Sequence, residues 1–205
     1  MNTPAELATV VDVAFAVDGK HLEQDYRYDL MQAVTGCLPW LESEPGAGIH
    51  PIRSARDEAG KLLLSRRARL VLRLPESRIG DVVALTGCLI HVGGNPLRLG
   101  EASIRVLQPI ATLYAHMVAA RSGDEQTFID DIAARLAELK IHCKIVCGKR
   151  QVLMAGPLQV TGFSLMLHDL EPEHSMMLQH LGLGAERRLG CGILVGHKSA
   201  AAVGA

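Results

Sequence analysis

In the stretch VVDVAFAV, residues 10–17, every second residue is a large apolar one and lies on one predicted face. The other face holds valine, alanine and aspartate. The residues on the first face are Val11, Val13, Phe15 and Val17. A period of two residues is typical of a β-strand with one buried face. From Asp25 onward the apolar spacing becomes that of a helix, and Pro39 closes it. This segment therefore predicts a strand followed by a helix.

The rest of the first half adds two strands, a short helix and a last strand. The run LLLSRRARLVLRLP, residues 62–75, predicts a strand with an apolar face and a cationic face. The apolar face holds Leu64, Ala68, Leu70, Leu72 and Leu74, and the cationic face holds Ser65, Arg67, Arg69 and Arg73. A strand at 48–52, a helix after Ser77, and apolar segments at 88–92 and 103–107 complete the half. The predicted order is β-α-β-β-α-β.

The second half repeats this order. A strand is predicted near 111–119, and a helix follows the capping pattern that begins at Ser122. Two further strands are predicted near 142–147 and 151–167. A last helix, 171–181, leads into a glycine-rich loop and an apolar segment. Two split β-α-β units in tandem fit this pattern.

We therefore predict an α+β fold of two tandem ferredoxin-like (RRM-like) βαββαβ domains. The predicted N-terminal domain is 1–109, the C-terminal domain is 110–198, and the tail 199–205 is predicted to be disordered. The chain has 205 residues and 48% hydrophobic content, which is enough for one large core or two small ones.

Cysteine usage indicates the compartment. The five cysteines are odd in number and lie in apolar stretches, and we find neither a signal peptide nor a membrane-spanning run. We expect a reducing, cytoplasmic environment and no membrane association. Cys143 and Cys147 would be ~13 Å apart on one strand, too far for one tetrahedral zinc, so we interpret them as core residues and predict no metal site.

Charge is segregated along the chain although the net charge is only −1. Residues 53–73 carry seven basic residues and two acidic ones. Lys140, Lys144, Lys149 and Arg150 form a second basic block. Such blocks create a local positive field that suits nucleic-acid phosphates. The alternative for either block alone is an ordinary solvated strand face.

The loop GLGAERRLGCG, residues 182–192, matches neither the dinucleotide nor the P-loop spacing. It also lies between a helix and a strand, the reverse of the usual order in nucleotide loops. Its glycines permit close backbone approach, and Arg187 and Arg188 could contact the phosphates of an extended RNA. The alternative is a turn that only packs the helix against the strand.

The spacing G-x-G-x5-G-x-G of this loop, on a tandem ferredoxin-like plan, resembles the RAMP superfamily of CRISPR proteins. GIHPI (48–52) and LLLSRRARLVLRLP (62–75) resemble more narrowly the CRISPR repeat-processing endoribonucleases of the Cas-six family, in the small subtype of the type I Myxococcus-like systems. The resemblance covers residues 10–198. It implies a metal-independent RNase without a cofactor, which cuts precursor CRISPR RNA by 2′-hydroxyl attack. It also implies the repeat RNA, its crRNA product and other Cas proteins of an effector complex as partners.

The resemblance also suggests the catalytic residues. His50 is one of nine histidines, and it follows a Pro/Gly-rich loop where the family keeps its catalytic histidine. Tyr28 lies about 200° around the helix from the apolar position of Tyr26, so Tyr28 is the candidate for the family's tyrosine and Tyr26 is expected in the core. Lys61 is too distant in sequence from His50 to match the family's lysine with ease. The alternatives for that stabilising contact are Arg53, Ser65 and Arg66.

RNA contacts are predicted on the basic strand segment and on the glycine loop. The predicted residues are Arg53, Arg56, Arg66, Arg67, Arg69, Arg73, Lys149, Arg150, Gly182, Gly184, Arg187, Arg188, Gly190 and Gly192. Two rival functions stay open from the sequence. A non-catalytic RNA-holding subunit of the same superfamily would bind the repeat without cutting it, and a small-molecule-binding protein of this fold would show no salt-sensitive RNA affinity.

Overall fold

The structure, a computed structural model, describes residues 9–57 and 60–197 and divides the chain into two compact units. Unit 1 consists of Met1–Val106, Met154–Pro157 and Arg188–Gly190, and unit 2 consists of Leu107–Leu153, Leu158–Arg187 and Cys191–Ala205. The predicted disordered tail at 199–205 lies outside the described residues. Within the described ranges, no helix is long and apolar enough to cross a membrane.

Unit 1 is built on a five-stranded antiparallel sheet. Its elements are β1 (Val10–Asp18), β2 (His21–Leu22), α1 (Tyr26–Cys37), β3 (Gly48–Ile49), β4 (Ala55–Arg56), β5 (Leu62–Leu63), β6 (Arg69–Pro75), α2 (Ile79–Val83), β7 (Leu89–Val92) and β8 (Asn95–Val106). The large sheet has the order β3-β6-β1-β8-β7, and β2, β5 and β4 form a small second sheet. The elements β1-α1-β3-β6-α2-β8 give the ferredoxin-like order of four strands, with β7 added as the hairpin partner of β8.

The core of unit 1 follows from the alternation in β1. Val13 pairs with Leu72 and Phe15 with Leu70 across β1 and β6, and all four side chains are fully buried. The stripe of α1 also packs into this core, where Leu30 is buried. Burying a side chain of this size contributes about 1.5–3 kcal/mol relative to leaving it exposed.

The prediction of one continuous strand at 62–75 is wrong. Leu62 and Leu63 belong to the small sheet, whereas β6 begins only at Arg69 in the large one. Between them the chain turns at Ser65, whose carbonyl accepts from the backbone N–H of Ala68 at 2.8 Å. The turn, which contains Arg66 and Arg67, breaks the period of two, so Arg67 does not share a strand face with Arg69 and Arg73 of β6.

Unit 2 repeats the same plan. Its elements are β9 (Leu113–Ala119), α3 (Glu125–Glu138), β10 (Lys144–Ala155), β11 (Leu158–His168), α4 (Pro172–Leu181) and β12 (Val195–Gly196). The sheet order is β10-β11-β9-β12, which is again the ferredoxin-like arrangement. The predicted tandem ferredoxin-like fold is confirmed. The helix cap differs from the prediction, because Asp124 rather than Ser122 caps α3 by accepting from the N–H of Thr127 at 2.7 Å.

The two predicted strands at 142–147 and 151–167 are in fact one long hairpin with a different turn. The strand β10 continues through Gly148, and the turn lies at Gly156, where φ is +61°. A Cβ at Gly148 would collide with the Oγ of Ser164. Gly148 is therefore a point of close approach within the hairpin rather than a turn residue.

Candidate active site

His50 lies immediately after β3, at the edge of the large sheet of unit 1. Its backbone N–H donates to the carbonyl of Val71 at 2.9 Å, which extends the pairing of β3 with β6 by one residue. The backbone of His50 is thus held by the sheet although the residue follows a Pro/Gly-rich loop. Its side chain is 13% exposed, so the imidazole is largely enclosed but still reaches the surface.

Asp12 and Arg73 form a bidentate ion pair beside this histidine. The two residues are direct partners in the register of β1 and β6. Arg73 donates from Nε to Oδ1 of Asp12 at 2.8 Å and from Nη2 to Oδ2 at 3.0 Å. Nε2 of His50 lies 3.4 Å from the same Oδ1. One carboxylate is therefore shared by a guanidinium and an imidazole, and the three groups come from three different strand segments.

The environment keeps Asp12 ionised. Burial alone would raise the pKa of Asp12, but hydrogen bonding to His50 and Arg73, together with their charges, outweighs it and holds the pKa well below its usual range. The carboxylate is consequently an anion at neutral pH and can only accept hydrogen bonds. Sequence reasoning missed Asp12. The signal that could have revealed this residue was a single acidic side chain inside an otherwise apolar strand.

The prediction that Arg73 lies on an exposed cationic face is wrong. Its side chain is 1% exposed, because Arg73 points into the same enclosed space as Asp12. The neighbouring cross-strand pair Val13–Leu72 faces the core on the opposite side of the sheet. A buried guanidinium that is bonded twice to a carboxylate cannot serve as a phosphate contact on the surface.

Tyr26 anchors the chain just beyond His50. Its hydroxyl accepts from the backbone N–H of Ile52 at 2.7 Å and lies 3.3 Å from the Ile52 carbonyl, to which it donates. The side chain is buried, as the helical stripe predicted, and burial raises the pKa of Tyr26. Tyr26 is therefore a core residue with a polar tip, and this tip fixes the segment that follows the candidate base.

Tyr28, the predicted catalytic tyrosine, is half-buried on α1. Its ring lies against Gly156, in the short segment that belongs to unit 1, where a Cβ would come within 3.0 Å of the ring. The contacts described for Tyr28 are thus with the turn between β10 and β11. A catalytic role for Tyr28 stays a prediction.

Most of the predicted basic residues outside the glycine loop lie on the surface. The exposed ones are Arg53, Arg66, Arg67, Lys149 and Arg150. Arg69 is half-buried, and its Nη1 donates to the carbonyls of Arg66 and Ala68. The side chain of Arg56 lies outside the part of the chain that the structure describes. Lys61 is half-exposed, and its described partners are not at His50. Its Nζ lies 3.8 Å from Oε1 of Glu23 and 3.5 Å from Nε2 of His21.

The glycine loop is folded upon itself. All four glycines have φ between +67° and +80°, which favours glycine. Leu183 donates its N–H to the carbonyl of Gly192 at 3.0 Å, and a Cβ on Gly192 would collide with the Leu183 carbonyl. Gly182 and Gly192 are buried, whereas Gly184 is exposed. The prediction that Gly182 and Gly192 offer their backbone to RNA is therefore wrong, because each is enclosed by its own loop.

The two arginines of the loop have different environments. Arg187 is 8% exposed and donates from Nη1 to the carbonyl of His180 at 3.0 Å, at the end of α4. A cation at a helix C-terminus stabilises the unpaired carbonyls there, so Arg187 caps the helix. The prediction of Arg187 as a surface phosphate contact is wrong, because this side chain is buried. The side chain of Arg188 is half-exposed.

Gly190 lies against the chain around His50. Gly190 belongs to the segment Arg188–Gly190 of unit 1. A Cβ on Gly190 would come within 3.0 Å of the Pro51 ring and 3.1 Å of the Ile49 carbonyl. Its φ of +80° and this close approach both require glycine. Gly190 is buried, so its backbone supports the segment 49–51 rather than an open RNA surface.

Cys143 and Cys147 pack against the core of unit 2, as predicted. Burial raises the pKa of both thiols, so both are neutral at neutral pH. Among residues 9–57 and 60–197, no three His, Cys, Asp or Glu side chains are grouped as a metal ion would need.

Comparisons with known proteins agree on one family. The family profile described as Cas6 Crispr matches residues 11–199. The CRISPR-associated endonuclease Cas6 of Myxococcus xanthus (strain DK1622) is 29% identical over 196 residues, which is 95% of this chain and 85% of that protein.

Solved structures share the fold. The product of a Cas6-related gene from Pyrococcus furiosus is 13% identical with a TM-score of 0.62, covering 90% of this chain and 97% of that one. A RAMP protein described as binding different RNA substrates is 14% identical with a TM-score of 0.64, covering 93% and 100%.

Proposed function

The chain belongs to the Cas6 family of CRISPR-associated proteins, and we propose that it is a metal-independent endoribonuclease. It binds the CRISPR repeat and cleaves precursor CRISPR RNA to give mature guide RNAs. The observation that carries the proposal is His50, whose enclosed imidazole still reaches the surface and contacts the ionised carboxylate of Asp12. The 29%-identical relative is itself named an endonuclease.

The reaction needs a base, a proton donor and positive charge near the phosphate. His50 takes the proton of the 2′-hydroxyl as the 2′-oxygen bonds to phosphorus. The bond from phosphorus to the 5′-oxygen breaks, and that oxygen takes a proton from Tyr28 or from water. The products are a 2′,3′-cyclic phosphate and a 5′-hydroxyl end. One P–O bond replaces another, so neither a metal ion nor a covalent enzyme intermediate is required.

In this proposal, exposed basic side chains of each unit supply the RNA contacts. Arg53, Arg66 and Arg67 are exposed in unit 1, and Lys149 and Arg150 are exposed in unit 2. Exposed guanidinium and ammonium groups bind phosphates by displacing counterions. Among the loop residues predicted to contact RNA, Gly184 and Arg188 reach the surface and are further candidates for phosphate contacts. Arg53, three residues after His50, is the candidate for stabilising the charge of the phosphorane.

Compartment and partners are part of the same proposal. All five cysteines are free thiols, which suits a reducing cytoplasm. The RNA partners are the CRISPR repeat and the processed crRNA. Other Cas proteins of a multisubunit effector complex are the expected protein partners.

The first experiment tests cleavage and the role of His50 together. Wild type, His50→Ala and the control His91→Ala are incubated in EDTA with RNA that carries the CRISPR repeat of the same genome. His91 is exposed on β7 and serves as the matched histidine. We expect wild type and His91→Ala to cut the RNA, and His50→Ala to cut it roughly 10²- to 10⁴-fold more slowly, the usual contribution of a general base.

A second substrate carries one 2′-deoxy nucleotide at the cut site. We expect it to stay intact with every variant, because the attacking oxygen is missing. Binding without cleavage by wild type would make the chain an RNA-holding subunit instead. Neither binding nor cleavage would leave only the fold in common with the family.

A further inference from the structure

We propose that Asp12 is a positioning residue for His50 and that Arg73 in turn holds Asp12 in place. The proposal rests on the proposed function, because it assigns a role in the cleavage step. Asp12 does not touch the RNA in this account. It acts through the imidazole of His50, which contacts the RNA.

The three side chains meet because of the sheet order. His50 follows β3, Arg73 is on β6, and Asp12 is on β1, so the imidazole reaches a carboxylate that belongs to the second strand away. Arg73 binds both oxygens of that carboxylate. Two bonds to a planar guanidinium fix the plane of the carboxylate, and this in turn fixes the direction from which His50 approaches.

The contact also decides which nitrogen of His50 reacts. Nε2 is the nitrogen that faces Oδ1 of Asp12. A carboxylate accepts a hydrogen bond and does not donate one, so in neutral imidazole it favours the tautomer with the proton on Nε2. The lone pair is then on Nδ1, which takes the proton of the 2′-hydroxyl. The imidazolium that forms is stabilised by the adjacent anion.

A role in stability alone does not account for this arrangement. A buried ion pair contributes little net stability, since apolar residues of similar volume often serve as well. The pair of Asp12 and Arg73 is complete without a third group. Nevertheless, a titratable side chain that is 13% exposed is held against the same carboxylate oxygen. That third contact is what a positioning residue requires.

The test is a double-mutant cycle. Single-turnover cleavage rates and RNA dissociation constants are measured for wild type, Asp12→Asn, His50→Ala and the combined variant. Asp12→Asn removes the charge, and its amide NH₂ can donate to Nε2, which favours the wrong tautomer. We expect cleavage by Asp12→Asn to be roughly 10- to 100-fold slower with an RNA dissociation constant within about twofold of wild type. In the His50→Ala background, the same substitution should cause no further loss.

Structural damage would give a different pattern. If Asp12 only supported the fold, Asp12→Asn would slow cleavage equally in both backgrounds, and that result would overturn the proposal. A rate unchanged by Asp12→Asn would also overturn it. If wild type does not cut, or if His50→Ala cuts as fast as wild type, the proposed function or the role of His50 fails before Asp12 is considered.

Two further variants guard against misfolding. Asp12→Asn removes the negative charge beside the buried Arg73, so the cycle is repeated with Asp12→Asn combined with Arg73→Met, which removes both charges. The same loss of rate is expected for this combination, and a wild-type rate contradicts the proposal. Asp131→Asn is the matched control, because Asp131 also binds an arginine, Arg121, through both oxygens, but on α3 in unit 2. It should cut at the wild-type rate.

Discussion

At position 12 an aspartate interrupts the apolar strand VVDVAFAV, and at position 26 a tyrosine interrupts an apolar helical stripe. Both polar groups point at the chain around His50. The carboxylate of Asp12 contacts the imidazole, and the hydroxyl of Tyr26 holds the backbone of Ile52. At the scale of residues, the candidate base is therefore supported by polar atoms that belong to core elements, which is how a side chain after a loop acquires a fixed orientation.

We expect Tyr26→Phe to lower the free energy of unfolding by about 1–3 kcal/mol, because it leaves the buried N–H of Ile52 without its acceptor. Urea denaturation of purified protein measures this change. Tyr114→Phe is the control, since Tyr114 is half-buried and its described contact is the ring of His197. A loss for Tyr26→Phe no larger than for the control would contradict the assigned hydrogen bond.

At the scale of elements, the glycine loop is a closed structure rather than an open cradle. Its two arms are joined by the bond from Leu183 to Gly192, and Arg187 is occupied at the end of α4. These bonds favour the alternative that the loop packs the helix against the strand, and an RNA contact of the loop stays a prediction. Of the loop residues predicted to contact RNA, Gly184 and Arg188 are the ones that reach the surface.

We expect Gly192→Ala to destabilise the protein more than Gly87→Ala does. Both glycines have positive φ, at +67° and +84°, so both substitutions carry a backbone cost of about 1–2 kcal/mol. Gly87 has open space where a Cβ would be, whereas Gly192 faces the Leu183 carbonyl, which adds roughly 1–3 kcal/mol of overpacking. Thermal unfolding of the two variants measures the difference, and equal melting temperatures would show that the loop is not closed as described.

At the scale of the whole molecule, a net charge of −1 coexists with exposed basic side chains in both units. Acidic residues lie elsewhere in the chain, so overall neutrality does not cancel the local field. The proposed binding of phosphates by these side chains predicts an RNA affinity that falls as the salt concentration rises. The number of exposed basic side chains that contact RNA can therefore be counted from the salt dependence of the RNA affinity.

We expect the combined variant Arg66→Ala with Arg67→Ala to reduce the slope of log affinity against log salt by about 2, one for each lost phosphate contact. Fluorescence anisotropy with repeat RNA at several salt concentrations measures the slope. Arg78→Ala is the control, because Arg78 is paired with Asp81 at 3.1 Å and stacks over Trp40, and its slope should equal that of wild type. An unchanged slope for the double variant would place the RNA elsewhere.

The sequence by itself determined the order of elements, the two-part ferredoxin-like plan and the core positions, because periods of two and of 3.6 residues are local properties. It also singled out His50 through a family resemblance. Only the tertiary structure decided the partners of that histidine. Asp12, His50 and Arg73 are separated by 38 and 23 residues along the chain, and they meet through the register of β1 with β6 and of β6 with β3.

The surface predictions that were wrong have the same cause. Arg73 and Arg187 are basic residues that look solvated in sequence, yet each finds an acceptor that only folding provides, a carboxylate across the sheet or the end of a helix. Whether an arginine is paired depends on groups that the fold brings beside it. Hydrophobic periodicity does not carry that information, because burial of a charged group is decided by its partner and not by its neighbours in sequence.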